Sequence, residues 1–195
     1  MSNLQNILKF VEFTNEFRRI ERGVHLLHEK RGENDSEHCF QLAVVAWYII
    51  SSHKLDLDIQ KVVMYALVHD LIEVYSGDTP VFNSTQEYFE SKEEREANAL
   101  EQIKLTFSES PDMWEKISQY EKRQDEESVF VYCLDKLLPY FVTYLDRGYS
   151  WRKNKMTLED IIEKKSSKIA KSPLLKKYFD ELNEIVRKNE KEYFG

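Results

Sequence analysis

The stretch YALVHDLIEVYSGD, residues 65–78, is an apolar segment of helical spacing that carries His69 and Asp70 side by side at its centre. Its last residues, Ser-Gly-Asp, have the composition of a turn. A polar group that is buried without a partner costs roughly 2–7 kcal/mol, and an unpaired charge costs far more. If this segment lies in the core, other side chains or a bound ion must compensate for both residues.

The composition is that of a folded, acidic protein. The chain has 195 residues, of which 42% are hydrophobic and 13% aromatic, and this suffices for one globular domain with a substantial core. The net charge of −7 argues against a general nucleic-acid binder, which needs a basic face, but not against a small anionic ligand. Cys39 and Cys133 lie in apolar runs without paired spacing, so we expect reduced thiols and a cytoplasmic location. No signal peptide and no membrane-spanning segment are expected.

Hydrophobic periodicity predicts helices along most of the chain. Apolar residues recur at helical spacing in the segments 3–20, 35–53, 57–75, 91–107, 111–121, 126–147, 157–170 and 173–192. Asn34 and Glu37 form a capping box at the start of the second segment. No alternating run of strand type reaches five residues. We therefore predict an all-α fold, one domain over residues 1–195 with about seven helices, in which the charged residues 150–195 form an outer helical layer.

The long helix predicted over residues 126–147 carries another polar residue on its apolar face. Asp135 shares this face with four apolar residues, which are Val131, Leu138, Val142 and Leu145. Pro139 has no N–H to donate to the carbonyl oxygen of Asp135, four residues earlier. We therefore expect the helix to bend beside this carboxylate.

His38 is a further polar residue on an apolar helix, because it lies in the first turn of the segment 35–53. With His69, Asp70 and Asp135, it makes four such residues on three helices. Two imidazoles and two carboxylates suit one divalent ion of the group Mn²⁺, Co²⁺, Fe²⁺, Ni²⁺, Zn²⁺ or Mg²⁺. Such an ion compensates for all four burials at once, whereas the structural alternative needs a separate partner for each residue. We predict that these four residues bind one divalent metal ion.

The order His38, His69-Asp70, Asp135 resembles that of the HD-domain metal-dependent phosphohydrolases, which implies a helical bundle of the HD type. Within that superfamily the motifs are most similar to those of the small 5′-deoxynucleotidase branch, and they lie within residues 22–135. The motifs that carry the resemblance are RGENDSEH at 31–38, ALVHDLIEVYSGD at 66–78 and CLDKL at 133–137.

Two carboxylates are candidate catalytic residues. Glu73 follows His69 by four residues and Asp70 by three, so it projects from the same helical face. A carboxylate there can take a proton from a water that a cation has acidified; without a metal, an ordinary exposed glutamate is the simpler interpretation. Asp78 lies in a turn, where aspartate is common for structural reasons. The resemblance implies that Asp78 is a site residue that orients the sugar or serves the leaving oxygen.

A phosphate ester also needs cationic partners. Arg22 matches the arginine with which the resembling enzymes bind phosphate, and Arg31 is a second candidate; a surface role is the alternative for both. The resembling enzymes usually carry a tryptophan directly after the first arginine, where this chain has Gly23. This departure leaves the nucleoside contact open. The parts that Glu96 and His25 play in the site are open as well.

The residues and the resemblance lead us to predict a metal-dependent phosphomonoesterase that hydrolyses deoxyribonucleoside 5′-monophosphates to deoxynucleoside and phosphate. We expect a small nucleotide as substrate, no nucleic acid polymer, no membrane and, as the resemblance implies, a homodimer. One alternative is an HD-type enzyme that cleaves nucleoside triphosphates or other nucleotides. Another is a non-catalytic helical binding domain that keeps the metal as a staple, although a staple needs neither Glu73 nor Asp78.

Overall fold

Helices dominate the described chain, which comprises residues 2–29, 31–77 and 91–195 of the computed structural model. In chain order they are α1 Asn3–Phe17, α2 Asp35–His53, α3 Ile59–Val68, α4 Glu73–Ser76, α5 Lys92–Thr106, α6 Pro111–Lys122, α7 Glu126–Leu145, α8 Tyr149–Lys153, α9 Leu158–Ile169, α10 Pro173–Lys188 and α11 Glu190–Phe194. The predicted all-α fold is confirmed, and eight of these described helices have ten or more residues, against about seven expected. In this part of the chain, no helix combines the length and apolarity that a membrane crossing requires.

A β-hairpin between α1 and α2 is an addition to the predicted helices. Strands β1, Glu21–His25, and β2, Gly32–Asn34, pair antiparallel. Gly32 allows the close approach of the strands, because a Cβ atom there would lie only 3.0 Å from the carbonyl oxygen of Arg22. The strands are too short to show an alternating hydrophobic pattern, so periodicity did not reveal them.

Side-chain caps fix where the helices of the site begin. The predicted capping box at the start of α2 is present: Asn34 Oδ1 accepts from the backbone N–H of Glu37, whose side chain accepts from the N–H of Asn34. The side chain of Asp58 caps α3, and that of Asp125 caps α7. α7 then continues through Pro139 to Leu145.

The helix expected over residues 57–75 ends earlier in the structure. α3 ends at Val68, and α4 begins only at Glu73. Between them the backbone forms tighter i→i+3 hydrogen bonds, such as that from the N–H of Glu73 to the carbonyl oxygen of Asp70 at 2.9 Å. The ring of His69 binds the carbonyl oxygen of Ala66, the acceptor that the N–H of Asp70 would use in a continued α-helix. His69 and Asp70 therefore lie in a turn between two helices.

Two hydrophobic clusters pack the helices, and α2 contributes to both of them. The first cluster joins α2, α3 and α7 to the helices after residue 150, and its buried residues include Leu42, Tyr65, Leu134, Leu158 and Phe179. The second joins α1, α5 and α6, and it includes Phe13, Cys39, Ile103 and Trp114. His38 precedes Cys39, and the Tyr65–His69 stretch runs from the first cluster to the second, so the candidate ligands lie where the two clusters meet.

Candidate metal centre

His38 and Asp135 meet across the interface of α2 and α7. Nε2 of His38 lies 2.9 Å from Oδ1 of Asp135. Both side chains are buried, with 1% and 4% of their surfaces exposed. The capped start of α2 sets the position of His38, and the apolar neighbours of Asp135 on α7 turn its carboxylate into the core. The buried carboxylate of Asp135 is therefore compensated in part by His38, which lies 97 positions earlier in the chain.

His69 directs its second ring nitrogen toward the same point. Its Nδ1 lies 3.0 Å from the carbonyl oxygen of Ala66, a contact that fixes the proton on Nδ1 when the ring is neutral. Nε2 then carries the lone pair, and it lies 3.0 Å from Oδ2 of Asp70 and 3.8 Å from Oδ1 of Asp135. This buried nitrogen makes no hydrogen bond within the described part of the chain. A buried imidazole nitrogen with a lone pair, placed between carboxylates, is suited to bind a metal cation.

The ligand atoms of His38, His69 and Asp135 all lie within 4.8 Å of one another. Two imidazole nitrogens and carboxylate oxygens suit divalent ions of the Mn, Fe, Co, Ni and Zn series, so these residues fit the metal that the sequence predicts. Cys39 also lies near His69, but its Sγ is 3.7 Å from Nδ1, the nitrogen that faces away from the other ligands. We therefore exclude Cys39 from the ligand set.

Three of the four candidate ligands, His38, Asp70 and Asp135, have the ionisation state that a metal requires, and His69 does not. Burial lowers the pKa of His38 to about 4, so this imidazole is neutral near pH 7. Burial opposes the charge on His69, but Asp70 and neighbouring groups outweigh it and raise the pKa of His69 well above its ordinary value. Burial also opposes the ionisation of Asp70 and Asp135, but the pKa of each is lowered, by His69 at Asp70 and by Lys136 and the two imidazoles at Asp135. A metal that binds must displace the proton of His69.

Arg22 connects the hairpin to the centre. Its Nη1 donates to Oδ2 of Asp70 at 2.8 Å and to Oδ1 of Asp35 at 3.1 Å. Its Nε lies 3.7 Å from Glu33, and its Nη2 lies 4.0 Å from Asp135. One largely buried guanidinium thus faces four carboxylates, two of which belong to the predicted metal ligands.

A cavity of about 590 Å³ opens onto the centre. Arg22, His69, Asp70 and Asp135 line it together with Glu73, which lies at the first position of α4. Glu96 also lines this cavity and pairs with Lys92 at 3.2 Å. The volume is within the range of small-molecule sites, and the cavity gives access to the candidate ligands that line it.

Two other residues of the sequence analysis lie away from the described lining of this cavity. Arg31 is exposed and pairs with Glu37 at 2.8 Å, and it does not belong to the described lining of the cavity. His25 packs its ring 4.7 Å from that of Tyr149, also away from this lining. Asp78 lies outside the described residues.

The structure adds residues that the sequence analysis did not assign to the site. Lys136 places its Nζ 2.6 Å from Oδ2 of Asp135, and Tyr120 packs its ring 5.5 Å from that of His69. Glu33 is buried with an oxygen 3.8 Å from Nδ1 of His38. Glu33 lies in the motif RGENDSEH and Lys136 in CLDKL. Their closeness in sequence to His38 and Asp135 is the feature from which their place in the site could have been predicted.

The fold and the buried His/Asp centre define the class of protein. The family model described as HD domain matches residues 14–176. The chain belongs to the HD domain family.

Individual known proteins are similar over parts of this region. The 5′-deoxynucleotidase HDDC2 of Homo sapiens is 31% identical over 136 residues, 68% of this chain and 64% of that protein. The 5′-deoxynucleotidase YfbR of Escherichia coli O127:H6 is 30% identical over 125 residues, 59% of this chain and 61% of that protein. The chain thus spans less than two thirds of the length of these curated relatives. A crystal structure of a predicted metal-dependent phosphohydrolase from Magnetospirillum magnetotacticum MS-1 has a TM-score of 0.82 and 25% identity, and the match covers 100% of this chain and 96% of that one.

Substitution of a candidate ligand tests the centre directly. Loss of a hydrogen-bond partner behind a metal ligand costs roughly 10- to 100-fold in affinity, so Asp135→Asn should weaken metal binding by at least that factor. Titration with Co²⁺, followed by absorbance and by elemental analysis after dialysis, measures the effect. Asp146→Asn, at the end of the same helix, is the matched control and should bind as the unmodified protein does. Equal affinity of the two variants would show that Asp135 is not a ligand.

The protonation of His69 has a measurable consequence. At pH 6 each metal ion that binds should release about one proton, because His69 is protonated while Asp70 and Asp135 are ionised and His38 is neutral. The release should disappear as the pH rises above the raised pKa of His69. Calorimetric titration in buffers of different ionisation enthalpy counts the protons. Binding at pH 6 without proton release would contradict the assignment, and His53→Gln should leave the count unchanged.

Proposed function

We propose that this protein is a metal-dependent phosphohydrolase that cleaves the phosphate monoester of deoxyribonucleoside 5′-monophosphates. The proposal depends above all on one observation, the convergence of His38, His69 and Asp135 beside an accessible cavity that His69 and Asp135 line. The family and the names of the two similar 5′-deoxynucleotidases support the choice of reaction. A staple alone would need no cavity and no further carboxylate beside it.

The proposal gives each residue of the centre a role that its position supports. A divalent ion held by His38, His69, Asp70 and Asp135 supplies Lewis acidity, which lowers the pKa of water and attracts a phosphoryl oxygen. Glu73 lines the cavity three residues after Asp70, and its carboxylate accepts the proton of the attacking water.

Arg22 lines the cavity, and its guanidinium binds the phosphate beside Asp70. Its contacts with the carboxylates keep the guanidinium in a fixed orientation, so little freedom is lost when an anion binds. The sugar-orienting role of Asp78 and the phosphate contact of Arg31 stay predictions from the resemblance.

Glu73→Gln tests the reaction. The variant should keep its metal and lose roughly 10²- to 10⁴-fold in kcat, because a positioned general base contributes that much. Phosphate release is measured with Mn²⁺ or Co²⁺ across deoxynucleoside and ribonucleoside mono- and triphosphates. Glu101→Gln, on the exposed face of α5, should match the unmodified protein.

The same panel separates the alternatives. Release of pyrophosphate or triphosphate, with monophosphates left intact, would favour a triphosphate hydrolase. Absence of any turnover in a protein that binds metal normally would favour a binding domain that uses the ion as a staple.

We also propose that two copies pair through the outer face of α2. Phe40, Val44, Trp47 and Tyr48 are exposed there, Trp47 with 56% of its surface. Residues 38–53 contain no Asp, Glu, Lys or Arg, so two chains of net charge −7 can meet on this face without opposing like charges.

Sedimentation velocity tests the pairing. Trp47→Glu should convert a dimer to a monomer, because it would bury a carboxylate in an apolar interface, and Leu105→Glu on α5 should leave the dimer intact. A monomeric unmodified protein would overturn the proposal.

A cytoplasmic location is likewise proposed. It is supported by the free, buried thiols of Cys39 and Cys133, which suit a reducing compartment.

A further inference from the structure

A group of cations lies beside the cavity on a protein that is acidic as a whole. Residues 164–171, KKSSKIAK, contain four lysines and no acidic residue. This segment ends α9 and packs against the helix that carries Asp135: Nζ of Lys165 donates to the carbonyl oxygen of Lys136 at 2.6 Å, and Sγ of Cys133 donates to that of Lys168 at 3.4 Å. The end of α9 is therefore held against the part of α7 that carries Asp135.

Three cations, one of them from this lysine segment, lie close to the ring of Tyr132. The guanidinium of Arg123 lies 4.4 Å from the centroid of its ring, and Nζ of Lys171 and Nζ of Lys136 lie 5.2 and 5.6 Å from it. Tyr132, Arg123 and Lys136 also line the cavity that contains the metal ligands. The aromatic ring thus gathers cations from three segments of the chain at one edge of the candidate active site.

Carboxylates of the protein neutralise only some of the cations near Tyr132 and at the end of α9, which are Arg123, Lys136, Lys168 and Lys171. Arg123 pairs with Glu121 at 3.2 Å, and Lys136 pairs with Asp135 at 2.6 Å. In the described part of the chain, no carboxylate lies within 4.0 Å of Nζ of Lys168 or Lys171. Burial, followed by the positive charges of Lys136 and other lysines, lowers the pKa of Lys168, as expected where cations crowd together.

Lysines on the neighbouring helix behave differently. Lys176 and Lys177 of α10 pair with Asp180 and Glu181 one turn later, the usual arrangement of a solvated helix face. Among the described residues, Lys168 and Lys171 have no such partner. Lys171 lies instead near the ring of Tyr132, a residue of the cavity lining, and Lys168 precedes Lys171 by three residues at the end of α9. An anion that enters the cavity is the partner that their position favours.

We propose that Arg123, Lys136, Lys168 and Lys171 bind a second phosphate group of the nucleotide, in addition to the phosphate that is cleaved. The proposal rests on the proposed function, since it takes the metal centre as the place of the scissile phosphate. Lys136 touches the metal ligand Asp135 and also faces Tyr132, so the two phosphate positions are adjacent. The favoured substrate class is then a nucleotide with two separate phosphates, such as a deoxynucleoside 3′,5′-bisphosphate.

The experiment compares two substrates that differ by one phosphate. At low ionic strength, kcat/KM should be roughly tenfold higher for 2′-deoxyadenosine 3′,5′-bisphosphate than for 2′-deoxyadenosine 5′-monophosphate, because contacts between charged groups contribute about that much. The double variant Lys168→Gln, Lys171→Gln should lose most of this ratio, and added salt should reduce it in the unmodified protein. 2′-Deoxyadenosine 5′-diphosphate is a third arm; a preference for it instead places the second phosphate on the 5′ chain.

A matched control removes the same charge elsewhere. Lys177→Gln, Lys188→Gln on α10 should keep the ratio of the unmodified protein. The proposal is overturned if both doubly phosphorylated nucleotides perform no better than the monophosphate, if the cluster variant keeps the preference, or if the control variant loses it equally.

A separate measurement keeps this test independent of catalysis. If no nucleotide is hydrolysed, the proposed function is wrong, and calorimetric binding of the same nucleotides to EDTA-treated protein then decides the role of the cluster. Equal dissociation constants for the mono- and bisphosphate would exclude a second phosphate site, whereas tighter binding of the bisphosphate that the cluster variant loses would support it.

Discussion

The burial of His38, His69 and Asp135 within ligand distance of one another is the constraint on which the rest of the structure depends. Removing an ionised group from water costs several kcal/mol even after the protein relaxes, so such a cluster persists only where every member has a partner. Each helix of the site positions its polar residues in a different way. α2 presents His38 from a capped first turn, α3 ends so that His69 and Asp70 both turn inward, and α7 carries Asp135 on its apolar face.

The hairpin takes part in the same network although it contributes no predicted metal ligand. Arg22 on β1 reaches Asp70 and Asp35, and Glu33 on β2 approaches His38. The carboxylates of Asp70 and Asp135 repel each other and their acidic neighbours Glu33 and Asp35, and the guanidinium of Arg22 reduces this repulsion. The close strand approach at Gly32 therefore serves the charge balance of a site that lies on other elements.

The electrostatics of the cavity differ from those of the whole chain. The net charge of −7 repels anions at a distance, but Arg22, Arg123 and Lys136 line the cavity itself. Fields in a concave, partly desolvated site exceed those at an open surface, so local cations govern which ligands are accepted. The carboxylates of Glu73 and Glu96 line the same cavity, so its wall carries charges of both signs.

The amino-acid sequence by itself determined the helical class, the capping box at Asn34 and the four polar residues that break the apolar faces. Periodicity carries this information because it reports which positions are buried, and a buried charge demands a partner wherever it occurs. The hairpin, the early end of α3 and the cluster around Tyr132 were decided only in the tertiary structure. Short strands have no readable period, a ring such as that of His69 competes locally for backbone acceptors, and cations from separate segments become neighbours only when α7 and α9 pack.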